Sequence, residues 1–112
     1  MLDGIGANIE RYMDLVSFRQ KLVAGNIANA DTPGYTTKDI DFQAEYQSAM
    51  GTADASVVEL TQLPAKSDGN NVSLEREARL LSENALRFSV ASNLARGALQ
   101  AVRTAIHGGR NT

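Results

Sequence analysis

Two long stretches of helical periodicity flank a middle that has none. Over residues 6–29, Ile9, Tyr12, Met13, Val16, Val23 and Ile27, continuing Ile5, recur at helical spacing on one face, and Gln20 is the single polar interruption. Leu15, Phe18 and Leu22 form a second apolar strip on a different face. A helix with one partner needs one buried stripe. The second strip therefore predicts further neighbours, as in an assembly of subunits, in preference to cover for the central segment of the same chain. Over residues 73–107, Leu74, Ala78, Leu81, Ala85, Phe88, Ser92, Ala95, Leu99, Val102 and Ile106 step by four and three without a break. That heptad seam predicts left-handed coiled-coil packing. Beside it runs an alanine-rich strip, Ala91, Leu94, Ala98, Ala101 and Ala105, small enough for another helix to approach closely.

The ends of both helices carry local signals. Pro33 supplies the φ that position i+1 of a turn requires, and Gly34 the positive φ of position i+2 in a type II turn. Residues 32–35 are thus a predicted turn, and the first helix stops by Ala30 or Asp31 because the residue before a proline avoids the helical region. The second helix opens after the turn Asp68-Gly69-Asn70-Asn71, with Asn71 or Ser73 as N-cap and Glu75 and Glu77 against the helix dipole. Arg76 stands three residues after Ser73, so no capping box forms. His107 and then Gly108-Gly109 mark its predicted end. Such a helix spans on the order of 50 Å, which suits a rod-shaped subunit better than a sphere. Gly25 and Gly97 interrupt the helices at a cost of ~1 kcal/mol each. Gly25 reads as tolerated, while Gly97 is equally a site of close helix approach or bending.

Between residues 36 and 71 the pattern weakens. Asp41 caps a short predicted helix through Met50, with Phe42, Tyr46 and Ala49 on one face. Residues 51–56 are small and polar, a predicted flexible loop. Val57-Val58-Glu59-Leu60 is a short strand or an extended contact segment. With so few apolar residues, 43–67 is expected to be mostly disordered in the free chain. The resulting fold class is all-α dominated: two long terminal helices in a coiled-coil-like antiparallel pair, joined by a largely irregular segment with one short helix or strand. One domain spans 1–112, with helices over 6–29 and 73–107 and the turn and loop segment over 30–72.

Composition narrows the chemistry. The length, 112 residues, is near the low end for an autonomous core. The net charge of −2 and the lack of any basic block argue against nucleic acid or an anionic membrane as partner. The absence of cysteine removes disulfides and thiolate metal sites. The sole histidine, His107, reads as a helix-end residue rather than a base or ligand. Asp39 and Asp41 read as solvated or capping carboxylates, and Asn71-Val72-Ser73, a glycosylation match, as a helix cap. No cofactor, metal or small-molecule substrate is expected, and no enzymatic activity. No run approaches the ~20 apolar residues of a membrane span, and the N-terminus lacks the parts of a secretory signal. On those rules alone the chain reads as cytoplasmic.

The run Asn26-Ile27-Ala28-Asn29-Ala30-Asp31-Thr32-Pro33-Gly34-Tyr35, followed by Asp39-Ile40-Asp41-Phe42, says more than a helix stop. It resembles the signature of the bacterial flagellar rod and hook axial-protein family. Arg19-Gln20-Lys21-Leu22-Val23-Ala24-Gly25 is similar to the family's approach to that motif, apart from Gly25, where a better helix former is expected. Asp68-Gly69-Asn70-Asn71-Val72, Leu74-Glu75-Arg76-Glu77 and Glu83-Asn84-Ala85 resemble the opening of its C-terminal helix. The short chain and these downstream motifs narrow the resemblance to the proximal rod; another rod protein, or a soluble coiled-coil adaptor or export chaperone, is the alternative. The resemblance implies a torque-transmitting structural subunit in the periplasmic rod of the basal body, exported by the flagellar apparatus without a cleaved signal. It implies as partners copies of itself, other rod proteins, the basal-body ring protein and its adaptor, and the export apparatus. An assembly turn motif of Asn26, Asn29, Thr32, Pro33, Gly34, Tyr35, Asp41 and Phe42 follows from it. The packing seam comprises Ile9, Val16, Val23, Ile27, Leu74, Leu81, Phe88, Leu99, Val102 and Ile106.

Overall fold

The computed structural model describes residues 2–48 and 55–110, with side chains apart from those of residues 2, 3, 5, 109 and 110. Five elements follow in order: α1 Leu2–Ala28, β1 Lys38–Ile40, α2 Phe42–Gln47, β2 Val57–Glu59 and α3 Leu74–Arg110. The helices α1 and α3 lie antiparallel, for Asn26 bonds Glu77 at one end while Gly6 and Ala98 line one groove at the other. The chain is elongated, 72 × 26 × 16 Å.

The start of α3 is a serine cap. The Ser73 hydroxyl accepts from the Arg76 N–H at 3.2 Å, and its carbonyl from the Glu77 N–H at 3.0 Å. Its end is not where the glycines suggested, since α3 continues through Gly108 and Gly109 to Arg110. Gly108 has no left-handed φ, and a glycine without one weakens a helix but does not stop it. Neither Gly25 nor Gly97 is a point of close helix approach within the chain, since a Cβ at either would meet nothing within 4 Å.

Which face of α3 meets α1 differs from the heptad reading of a single pair. Toward α1 it turns Glu77, Leu80, Asn84 and Ala91, all buried, then half-buried Ala95, Ala98 and Val102. From α1 come Val16 and Val23, each 1 % exposed, with Ile9 half-buried. Small residues, Ala91, Ala95 and Ala98, make up the covered face along the second half of α3. Leu74, Leu81, Phe88, Leu99 and Ile106 stand one step round the helix and remain exposed, as does Ile27.

Among the described residues of the middle, two short strands and a short helix form. β1 pairs antiparallel with β2, in the register Lys38↔Glu59, Asp39↔Val58 and Ile40↔Val57. The sequence left Val57–Glu59 open between a strand and an extended segment, and its partner at Lys38–Ile40 was not legible. Two strands alone are marginal in water. Here β1 rests on α1, and Ile40 is 4 % exposed. Asp41 caps α2 by accepting from the Ala44 N–H at 3.1 Å. α2 is held by edge-on packing of Tyr12 against Phe42 at 5.5 Å and Tyr46 at 5.9 Å. It ends at Gln47; Ala49 and Met50, and residues 51–54 of the expected loop, lie outside the described residues. The second strip of α1 is also corrected in part. Leu15 is buried within this chain, and Phe18 and Leu22 are half-buried, so no neighbour is needed to cover Leu15.

Candidate functional site

The end of α1 closes into the turn its sequence specifies. The Tyr35 N–H donates to the Thr32 carbonyl at 3.2 Å across Pro33 and Gly34, and Gly34 has φ of 75°. Both features match the type II assignment. Before it, the Asn29 amide donates to the Gly25 carbonyl at 2.8 Å, and the Thr32 hydroxyl donates back to Asn29 Oδ1 at 3.0 Å. These bonds fix the Asn29 side chain at the exit from the helix.

A second loop, far along the chain, clasps this turn. The Gly34 N–H donates to the Asp68 carbonyl at 2.8 Å, and the Asn71 N–H to the Tyr35 carbonyl at 3.2 Å. Asn70, fully buried, donates from Nδ2 to the carbonyls of Asn29 at 2.9 Å and Thr32 at 2.8 Å. Asn71 Oδ1 accepts from the Thr37 N–H at 2.7 Å and the Thr37 hydroxyl at 2.9 Å, while its Nδ2 donates to the Leu60 carbonyl at 2.6 Å. Asn71 is thus a buried cross-brace, and the cap of α3 falls to Ser73. Gly69 has φ of 86°, and a Cβ there would sit 3.3 Å from the Gly34 Cα. The close approach of the two loops requires glycine at position 69, whereas Gly34 is required by its own left-handed φ.

Beneath the clasp lies a buried ionic network. Arg19 grips Asp39 with two bonds of 2.9 Å, and Arg76 bridges Asp39 at 2.5 Å and Glu77 at 2.7 Å. Glu77, 0 % exposed, also accepts from Asn26 Nδ2, which donates to the Lys38 carbonyl at 2.8 Å as well. Asn26 Oδ1 accepts from the Lys38 N–H and the Tyr35 hydroxyl, both at 3.0 Å. Two guanidiniums thus meet two carboxylates, and the buried charge balances. Removing any one partner strands the others, so the set acts as a unit. Asp39 is therefore not a solvated carboxylate; at 5 % exposure it is the node joining α1, β1 and α3.

The turn motif divides accordingly. Asn26, Asn29, Thr32, Gly34 and Tyr35 meet in the clasp, with Pro33 exposed at its tip. Asp41 and Phe42 instead start α2 and belong to the aromatic cluster. Sequence reading missed Arg19, Asp39, Arg76 and Glu77 as a set. It had one signal: Glu77 and Asn84 fall on the same helical row as Leu80 and Ala91. Gln20, the interruption of the α1 stripe, answers Asn84, whose Nδ2 donates to Gln20 Oε1 at 2.9 Å.

Burial alone would push the Asp39 carboxyl up; the hydrogen bonds from Arg19, Ile40 and Arg76, with the Arg19 charge, overcome it and hold it below 3.8. A carboxylate depressed on folding stabilises the fold above its unfolded value, and that contribution is lost as pH falls through the folded value. Stability is therefore expected to hold from neutral pH down to about 4 and to drop below that. In a pH series of thermal melts, Asp39→Asn should flatten this acid limb; an unchanged limb would assign it to other carboxylates. Tyr35 is shifted upward, first by burial and then by the charges of Glu77 and Glu59, so its hydroxyl stays a donor to Asn26.

The chemistry here is that of a latch. Among the described residues no group of His, Asp and Glu is arranged to hold a metal ion. Residues 17–36, the second half of α1 and the clasped turn, match a family model described as flagella basal body rod protein. Over nearly its whole length the chain is similar to flagellar basal body rod proteins FlgB. It is 31 % identical to that of Escherichia coli K12 and 30 % to that of Salmonella typhimurium, each over 97 % of this chain and 99 % of the relative. Identity to that of Bacillus subtilis is 24 %, over 98 % of both.

Proposed function

The chain belongs to the FlgB family of flagellar basal body rod proteins, and on that premise we propose that it is a subunit of the proximal rod, on the periplasmic side. Its paired helices join those of neighbouring copies and other rod proteins in a tubular array that transmits motor torque. The ring protein and its adaptor lie at its base, and the chain reaches the rod through the flagellar export apparatus without a cleaved signal. Torque transmission asks for stiffness, and a buried, charge-balanced latch between the two helix ends supplies it locally.

One observation carries the reading. The row Leu74, Leu81, Phe88, Leu99 and Ile106 on α3 is between 40 % and 56 % exposed in the single chain. An exposed apolar row of that kind on a monomer marks a surface that partners cover. Leu81→Asp is therefore expected to leave the isolated chain folded, with a change of about 0.5 kcal/mol or less. It should nonetheless remove the chain from detergent-extracted basal bodies, because burying an unpaired charge between subunits is costly. Normal swimming with Leu81→Asp would contradict this role for the row. Recovery of the unaltered chain only as a discrete cytoplasmic dimer would contradict the rod assignment itself.

A further inference from the structure

The clasp is built over a chemically weak step of the backbone. Asp68-Gly69 is one of two Asp-Gly steps in the sequence, the other being Asp3-Gly4. A glycine after an aspartate leaves its amide nitrogen without a flanking side chain, so that nitrogen can reach the aspartyl Cγ. The clasp cannot avoid the pairing. Position 69 needs glycine for its φ of 86° and because a Cβ there would lie 3.3 Å from the Gly34 Cα. Position 68 supplies an acceptor, Asp68 Oδ1, which takes the Asn70 N–H at 3.0 Å.

In the closed clasp both reacting groups are engaged elsewhere. The Gly69 N–H donates to the Lys66 carbonyl at 2.9 Å, and the Lys66 N–H donates to the Asn70 carbonyl at 2.8 Å. Lys66 Nζ ties the same loop to the Ala30 carbonyl at 3.1 Å. For the Gly69 nitrogen to attack, its proton must leave and the Asp68 carboxyl must swing away from Asn70. Two bonds of the loop break in doing so, and the reaction therefore waits on local opening.

We propose that Asp68-Gly69 is a site of spontaneous isoaspartate formation that the closed clasp holds inactive and an open clasp releases. The Gly69 nitrogen bonds to the Asp68 Cγ, and the carboxyl hydroxyl leaves with the amide proton as water, giving a succinimide with no change of oxidation state. Water then opens the ring. Addition at Cγ restores aspartate; addition at the former main-chain carbonyl breaks the original peptide bond and leaves isoaspartate. The main chain then runs through Cβ and Cγ, one carbon longer, and the former carbonyl is a free carboxylate. That carbonyl is the acceptor of the Gly34 N–H, and the added carbon displaces Asn70 from the carbonyls of Asn29 and Thr32. A chain kept open too long thus loses its latch. The proposal concerns closure of the clasp and does not rest on the rod reading.

The full-length chain is aged in heavy-oxygen water, in buffer and in guanidinium chloride. Each opening of the ring leaves one solvent oxygen at residue 68, located by fragmenting the tryptic peptide 67–76. Labelling is expected to be at least about tenfold slower in buffer than in denaturant, because the folded chain must first open locally. Gly34→Val, which alters neither reacting residue, should label in buffer at close to the denatured rate. Equal rates for the unaltered chain in the two solvents, no labelling in denaturant, or a Gly34→Val chain as slow as the unaltered one overturns the proposal. The consequence is read after the denaturant is removed. The aged unaltered chain should melt lower than a fresh one, in proportion to its isoaspartate. Asp68→Ser keeps an acceptor for the Asn70 N–H but cannot form the ring, so it should recover its own melting temperature in full. An equal loss in both chains overturns the link between isoaspartate and the latch.

Discussion

Asp39→Ala is expected to lower the stability of the isolated chain by about 3–5 kcal/mol, the cost of leaving buried charges without their partner. Arg19 and Arg76 both direct bonds to Asp39, at 2.9 Å and 2.5 Å, and both are largely covered, with side chains 16 % and 18 % exposed. Urea titration followed by circular dichroism measures the loss. Asp39→Asn keeps the shape and some of the bonding, so it should cost less than alanine while still costing more than 1 kcal/mol. A triple replacement of Asp39, Arg19 and Arg76 by apolar residues of similar size should recover much of the loss, because no charge is then stranded. An Asp39→Ala chain within about 1 kcal/mol of the unaltered one would show that the network is decoration on a fold held by Val16, Val23 and Leu80.

Gly69→Val is expected to break the clasp outright, with loss of rod incorporation. Two costs combine at this position. A β-branched residue is forced into φ of 86°, and its Cβ lands 3.3 Å from the backbone of Gly34, which cannot rotate aside as a side chain would. Gly34 carries only the first cost, since nothing lies within 4 Å of a Cβ there. Gly34→Ala should therefore cost about 1–2 kcal/mol, and Gly34→Asn less, because asparagine accepts the left-handed region. Gly34→Val should block assembly while leaving export intact, as export needs no folded turn. Thermal melts rank the four variants, and fractionation separates secretion from incorporation. If Gly69→Val melts with Gly34→Ala, the close approach of the two loops carries no energetic weight. If Gly34→Val swims normally, the turn is dispensable.

These positions also show where reading the chain ends. The kinship with rod proteins came from a resemblance of motifs, and Val57–Glu59 was left open between a strand and an extended segment. The sequence by itself determined the two long helices, the type II turn at Pro33 and Gly34 and the Asp41 cap. Each depends on residues a few positions apart, through dihedral limits, local hydrogen bonds or helical spacing, and such signals survive without a fold around them. The tertiary structure alone decided that Asp39 is buried, that Asn70 and Asn71 brace a turn some forty residues earlier, and that Glu77 and Asn84 lie in the α1–α3 contact. It decided too that alanines, rather than the leucines beside them, meet α1 in the single chain. The reason is physical. A helix offers several faces to a partner of finite width, and an acid is a surface residue until a distant arginine makes its burial affordable. Spacing along the chain records which residues share a face, while pairing across the chain chooses the face that is covered.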